Sequence, residues 1–202
     1  MYHRNYVLNK QLANENRLLR SKINSLSEVS LENERLQKLL AFRQQSPFKV
    51  VAARVIGRGA DNWTSAVVID KGGFHGVRRG MCAINHLGLL GRVIESSLDS
   101  SKIILLSDPA MGVSGVIQRT RQEGLVSGTL GTYLIMKYLP QDADIKVNDR
   151  VVTSGLNQHY PKGILIGTVV DVGNEFSNLG RYAVIKPAAN LSYAEEVLIV
   201  IP

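Results

Sequence analysis

Apolar side chains return every seven positions over the first 40 residues, and beyond Phe48 they fall into short runs cut by glycine. Leu12, Leu19, Leu26 and Leu40 share one heptad position, with Asn33 in the remaining place. Labelling these a puts Leu8, Glu15, Lys22, Val29 and Leu36 at d. A period of 3.5 residues held over about five heptads describes a coiled coil. It predicts a helix from near Asn5 to Gln44, roughly 60 Å long at 1.5 Å per residue. Pro47 ends it, because proline lacks the helical donor and disfavours helix in the residue before it. Glu15, Lys22 and Asn33 interrupt the seam, while Leu18, Ile23 and Leu39 fall at e or g. Such polar positions lower stability and fix register and strand number, and Asn33 is read as pairing with its mate across the seam. A weak, tethered coiled coil is expected; on pattern alone, one long helix packed on its own body stays open.

From Phe48 the spacing becomes strand-like. Twelve segments qualify: Val50–Ile56, Ala66–Asp70, Met81–Asn85, Leu89–Glu95, Lys102–Ser107 and Gly112–Gln118, then Leu125–Leu130, Tyr133–Leu139, Arg150–Thr153, Ile164–Val172, Arg181–Pro187 and Val197–Ile201. Short strands at this spacing predict two small barrels or a sandwich. The halves echo each other. Leu89–Glu95 matches Leu165–Asp171, each with a glycine that marks a bulge or tight bend, and the turn Gly76–Gly80 matches Lys146–Asp149. The expected organisation is a coiled-coil helix over 1–46, a first β-barrel over 47–120 and a second over 121–202. Return of the last strand to the first barrel stays open.

Composition narrows the function classes. The charge of +7 is spread, +4 before Pro47 and +3 beyond it, with no Lys/Arg block of the kind nucleic acid demands. A zipper-type DNA binder needs a basic region, yet only Arg4 and Lys10 lie between the start and Leu12 apart from His3. One cysteine, Cys82, excludes an internal disulfide and a CxxC metal site. No apolar run reaches 18 residues.

A two-barrel body invites a search for a catalytic triad. His3, His75, His86 and His159 and the candidate nucleophiles Ser107 and Ser154 lack any glycine-flanked nucleophile loop able to build an oxyanion hole. No metal-ligand spacing is present, and Asp142 and Asp144 read as loop solvation. Lys71-Gly72-Gly73 has no helix behind it to receive a phosphate and reads as a hairpin turn. No catalytic, metal or cofactor residues are therefore assigned. Trp63, Phe74 and Tyr160 lie in or near predicted loops and are candidate partner anchors, with packing the competing role.

The ordered set of motifs resembles the MreC family, rod-shape-determining proteins of bacterial cell-wall elongation. It runs from Glu32-Asn33-Glu34-Arg35-Leu36-Gln37-Lys38-Leu39-Leu40 through Val51–Gly57, Trp63 and Ile69-Asp70-Lys71-Gly72. It continues with Gly88–Val93, Leu105–Pro109, Val151–Leu156 and Tyr160–Ile164. The resemblance implies two six-stranded barrels arranged as in a chymotrypsin-like protease without its active site, and a coiled coil that forms a homodimer. It further implies self-association into filaments and a non-enzymatic periplasmic scaffold working with MreD, MreB and a class B penicillin-binding transpeptidase. The family's N-terminal transmembrane anchor is expected upstream of Met1. The alternative is a periplasmic adaptor of an efflux or secretion pump, which also joins coiled coil to small β-barrels. Such adaptors insert a helical hairpin into a lipoyl-like domain, whereas here one helix precedes every strand.

Overall fold

The computed structural model describes all residues except Met1, Ser46, 60–64, 157–158, 175–179 and Pro202, and no side chains over 2–11 or at Gln45. The chain divides into two units, residues 1–46 and 47–202. The first is a single helix, α1 (Tyr2–Gln45), 44 residues long, or about 66 Å. None of the described helices is long and apolar enough to cross a membrane.

Among the described residues the second unit holds twelve strands: β1 (Lys49–Arg58), β2 (Ala66–Ile69), β3 (Cys82–Ile84), β4 (Leu89–Ser96), β5 (Ser101–Leu105), β6 (Gly112–Ile117), β7 (Glu123–Gly128), β8 (Leu134–Leu139), β9 (Arg150–Thr153), β10 (Leu165–Asn174), β11 (Arg181–Pro187) and β12 (Glu196–Ile201). They close into two six-stranded barrels ordered β1-β12-β3-β4-β5-β2 and β10-β11-β8-β7-β6-β9. Each interior is filled by β-branched and long aliphatic side chains. Val67, Ile69, Val93 and Ile103 lie inside the first barrel, and Val113, Val126, Met136, Val169 and Ile185 inside the second, all essentially fully buried. Burying alternate residues of twelve such strands is the main term stabilising this unit.

Taken in chain order, the second barrel follows a Greek-key path in which its third strand pairs with its sixth. The first barrel has the same path once β12 is counted as its first strand. β12 pairs with β1 over six residues, from Lys49↔Ile201 to Arg54↔Glu196, and with β3 at Leu198↔Ile84. The expected boundary at residue 120 is corrected by this pairing. β6 bonds to β7 and β9, so it belongs to the second barrel although it precedes Arg119. The hairpin reading of Lys71–Gly73 is also corrected: β2 pairs with β1 and β5, β3 with β12 and β4, and a 3-10 turn (Gly73–His75) follows instead.

The sequence echo is a structural repeat. The β4–β5 ladder shifts register between Val93 and Glu95, and β10–β11 shifts between Val169 and Asp171. Gly91 and Gly167 sit at matching places where a neighbouring backbone comes close. A methyl group on Gly91 would overlap the Ile104 carbonyl oxygen, and one on Gly167 the Lys186 carbonyl oxygen. Only glycine admits that approach. The preceding turns match too. Gly80 N–H donates to the Val93 carbonyl (2.8 Å), as Asn148 N–H donates to Val169 (2.8 Å).

Candidate functional site

Along α1 the described seam side chains stand open to solvent. Leu12, Leu19, Leu26, Val29, Leu36 and Leu40 are between 46 % and 68 % exposed, and Asn33 shares their face. Leu8 is helical, but its side chain lies outside the described residues. Leucines of this exposure on one stripe leave apolar area that association can remove from water. Arg17 bonds within the helix, its Nη2 donating to Asn14 Oδ1 at 2.7 Å.

The three expected anchor aromatics have different fates. Phe74 lies on the 3-10 turn and is 73 % exposed; its N–H donates to Leu98, another exposed apolar residue, at 3.0 Å. Trp63 lies outside the described residues. Tyr160 is only 3 % exposed, which corrects its reading as an anchor. Its ring is buried among groups that include Cys82 and Arg92, and burial pushes its hydroxyl up to about 12. The pattern missed other exposed side chains: Leu130, Tyr133, Tyr138 and Tyr193. Tyr138 was missed because its φ of 61° breaks strand alternation, so that Met136 and Leu139 both face inward and Tyr138 faces out.

Both barrels are closed, so among the described residues a partner strand finds no free sheet edge to extend. Recognition on this unit must use side-chain surface and clefts. One cleft, of about 340 Å³, is lined by Leu87, Ser107, Thr132, Lys186, Pro187 and Leu191, from both barrels and the crossover to β12. Ser107 and Lys186 make no hydrogen bond to each other, and neither His75 nor His159 bonds a serine. Among the described residues no three His, Cys, Asp or Glu side chains gather as a metal site. Cys82 is buried, and desolvation raises its thiol well above the ordinary range, away from reactivity.

One cluster of charged groups, centred on the buried Asp149, is structural. Arg119 Nε and Nη2 donate to the two carboxylate oxygens of Asp149 at 2.8 and 2.9 Å, and Nη1 donates to Asp144 at 2.6 Å. These bonds hold both carboxyls below their ordinary value. Asp149 also accepts from Lys146 N–H at 2.9 Å, fixing the turn before β9.

The family model for rod shape-determining protein MreC, barrel core, matches residues 55–201. The chain belongs to the MreC family. Cell shape-determining protein MreC of Listeria monocytogenes is 33% identical over 195 residues, 92% of this chain and 65% of the relative. The chain thus spans just under two thirds of that relative's length. A solved structure of MreC superposes with a TM-score of 0.80 at 29% identity, covering 86% of this chain and 99% of its own. The complex between a penicillin-binding protein (PBP2) and MreC from Helicobacter pylori matches with a TM-score of 0.62 at 16% identity. It covers 76% of this chain and 99% of that one, and the likeness is one of fold. Membership of a cell shape-determining family displaces the pump-adaptor alternative.

Proposed function

We propose that this MreC-family chain is a non-enzymatic scaffold of bacterial cell-wall elongation, organising and activating peptidoglycan synthesis on the periplasmic side of the inner membrane. The observation that carries the reading is the pairing of an open leucine seam on α1 with a separate unit of closed barrels. The seam suits a second copy of the helix, which gives a homodimer. The barrels suit a class B penicillin-binding transpeptidase, a partner class suggested by the Helicobacter pylori complex. MreD and MreB are the further expected partners, and an N-terminal transmembrane helix upstream is the expected anchor. Activation would follow from tighter binding to one conformer of the transpeptidase than to another, since equal affinity shifts no equilibrium.

The test is shape. Rod-shaped cells depleted of their own MreC should regain rods when this chain is supplied behind a membrane anchor. Cells that stay spherical despite stable expression at the membrane would overturn the reading.

A further inference from the structure

A second cavity, of about 210 Å³, is lined by Arg78, Arg79, Met81, His159, Pro161 and Val200, among others. Its walls come from the turn before β3, from β12 and from the segment between β9 and β10, so both barrels build it. The repeat shows what is unusual here. In the second barrel the matching turn carries Asp149, which accepts from Lys146 N–H and pairs with Arg119. In the first barrel Met81 takes the place of Asp149, and its sulfur accepts from Arg78 N–H at 3.2 Å. The internal carboxylate is gone, and two arginines stand in the turn. Neither Arg78 nor Arg79 forms an ion pair among the described residues, and no Asp or Glu lines the cavity. Close by, the buried Tyr160 hydroxyl has no hydrogen-bond partner, with Arg92 among its neighbours. His159 is held against the turn: a side chain at Gly80 would reach its Nδ1 at 2.9 Å.

We propose that this cavity docks an acidic peptide segment of a partner protein, a carboxylate meeting Arg78 and Arg79 while an adjacent apolar side chain covers Met81, Pro161 and Val200. Guanidinium groups bind carboxylates through paired hydrogen bonds, which gives orientation as well as attraction. The apolar lining favours a peptide over a lipid headgroup, because a headgroup would satisfy the arginines and leave the lining wet.

The experiment titrates the full chain into a fluorescein-labelled hexapeptide of alternating leucine and glutamate, at physiological ionic strength, and follows anisotropy. Saturable binding is expected, weakened at least about tenfold by the double variant Arg78→Glu/Arg79→Glu. The milder Arg78→Gln/Arg79→Gln should weaken it as well, which covers the case in which charge reversal disturbs the turn. Lys137→Glu, at an exposed position of β8, should leave it unchanged. Equal binding of a leucine–glutamine peptide, an equal loss with Lys137→Glu, or no binding would each overturn the proposal. So would binding of anionic phosphatidylglycerol vesicles, lost in the arginine variants, without peptide binding, since that would make the site a membrane contact.

Discussion

Leu26→Ala isolates the contribution of the helix seam. Leu26 is at an a position and retains 68 % of its exposure in the single chain. Complete burial of a leucine side chain stabilises by about 1.5–3 kcal/mol, so closing the remaining two thirds contributes roughly 1–2 kcal/mol per helix and 2–4 per dimer. At 1.4 kcal/mol per tenfold, truncation should weaken self-association by about 30- to 700-fold. Alanine is the best helix former, so the loss cannot come from a weakened helix. Sedimentation equilibrium across a concentration series measures it directly. Leu31→Ala is the control, because Leu31 is similarly apolar and 48 % exposed but sits at f, outside the seam. Equal weakening by both variants, or none by Leu26→Ala, would refute the assigned seam.

Asn33→Leu should raise the melting temperature of the coil while broadening the distribution of oligomer masses, because a buried asparagine trades stability for register; an unchanged melt and mass would show that Asn33 is not in the seam. Gly91→Ala and Gly167→Ala should each cost the barrel unit about 1–3 kcal/mol or more in urea unfolding, since each methyl meets a backbone carbonyl. Gly57→Ala, whose Cβ would meet only Val68 at 3.8 Å, should be far milder, and matching losses at all three sites would contradict the repeat geometry. Asp149 and Asp144 are held below 3.8 chiefly by hydrogen bonds from Arg119, so their contribution is present above the unfolded-state value and lost as pH falls through the lowered one. Barrel stability should therefore decline from about pH 5 downward, and Arg119→Gln should flatten that decline; a pH–stability curve with the same slope in the variant would rule out the clamp.

The strands were readable because each is a short apolar run closed by glycine or a polar turn, and the Leu89–Glu95 and Leu165–Asp171 echo returns as matching bulges in β4 and β10. Barrel membership was harder to read. β6 resembles its neighbours in composition, and its place is set by pairing with β9, some 35 residues on. Lys71–Gly73 looked like a hairpin because glycines followed a strand, yet the partners of β2 and β3 lie elsewhere. Tyr160 illustrates the same limit for sites. A tyrosine before proline reads as a loop anchor, but its burial beside Cys82 and Arg92 depends on a contact across roughly 70 residues. Arg78 and His159 are likewise distant in sequence and meet only through the fold. The helix was the most legible element, because a heptad is a local pattern and α1 spans the stretch that carries it.

Equilibrium binding of the full chain to the periplasmic region of the elongation transpeptidase tests the scaffold claim most directly, with wild type and Leu26→Ala measured side by side. The account predicts saturable binding by both, with the variant losing only the avidity that dimerisation supplies. Absence of binding by the folded wild type would contradict it.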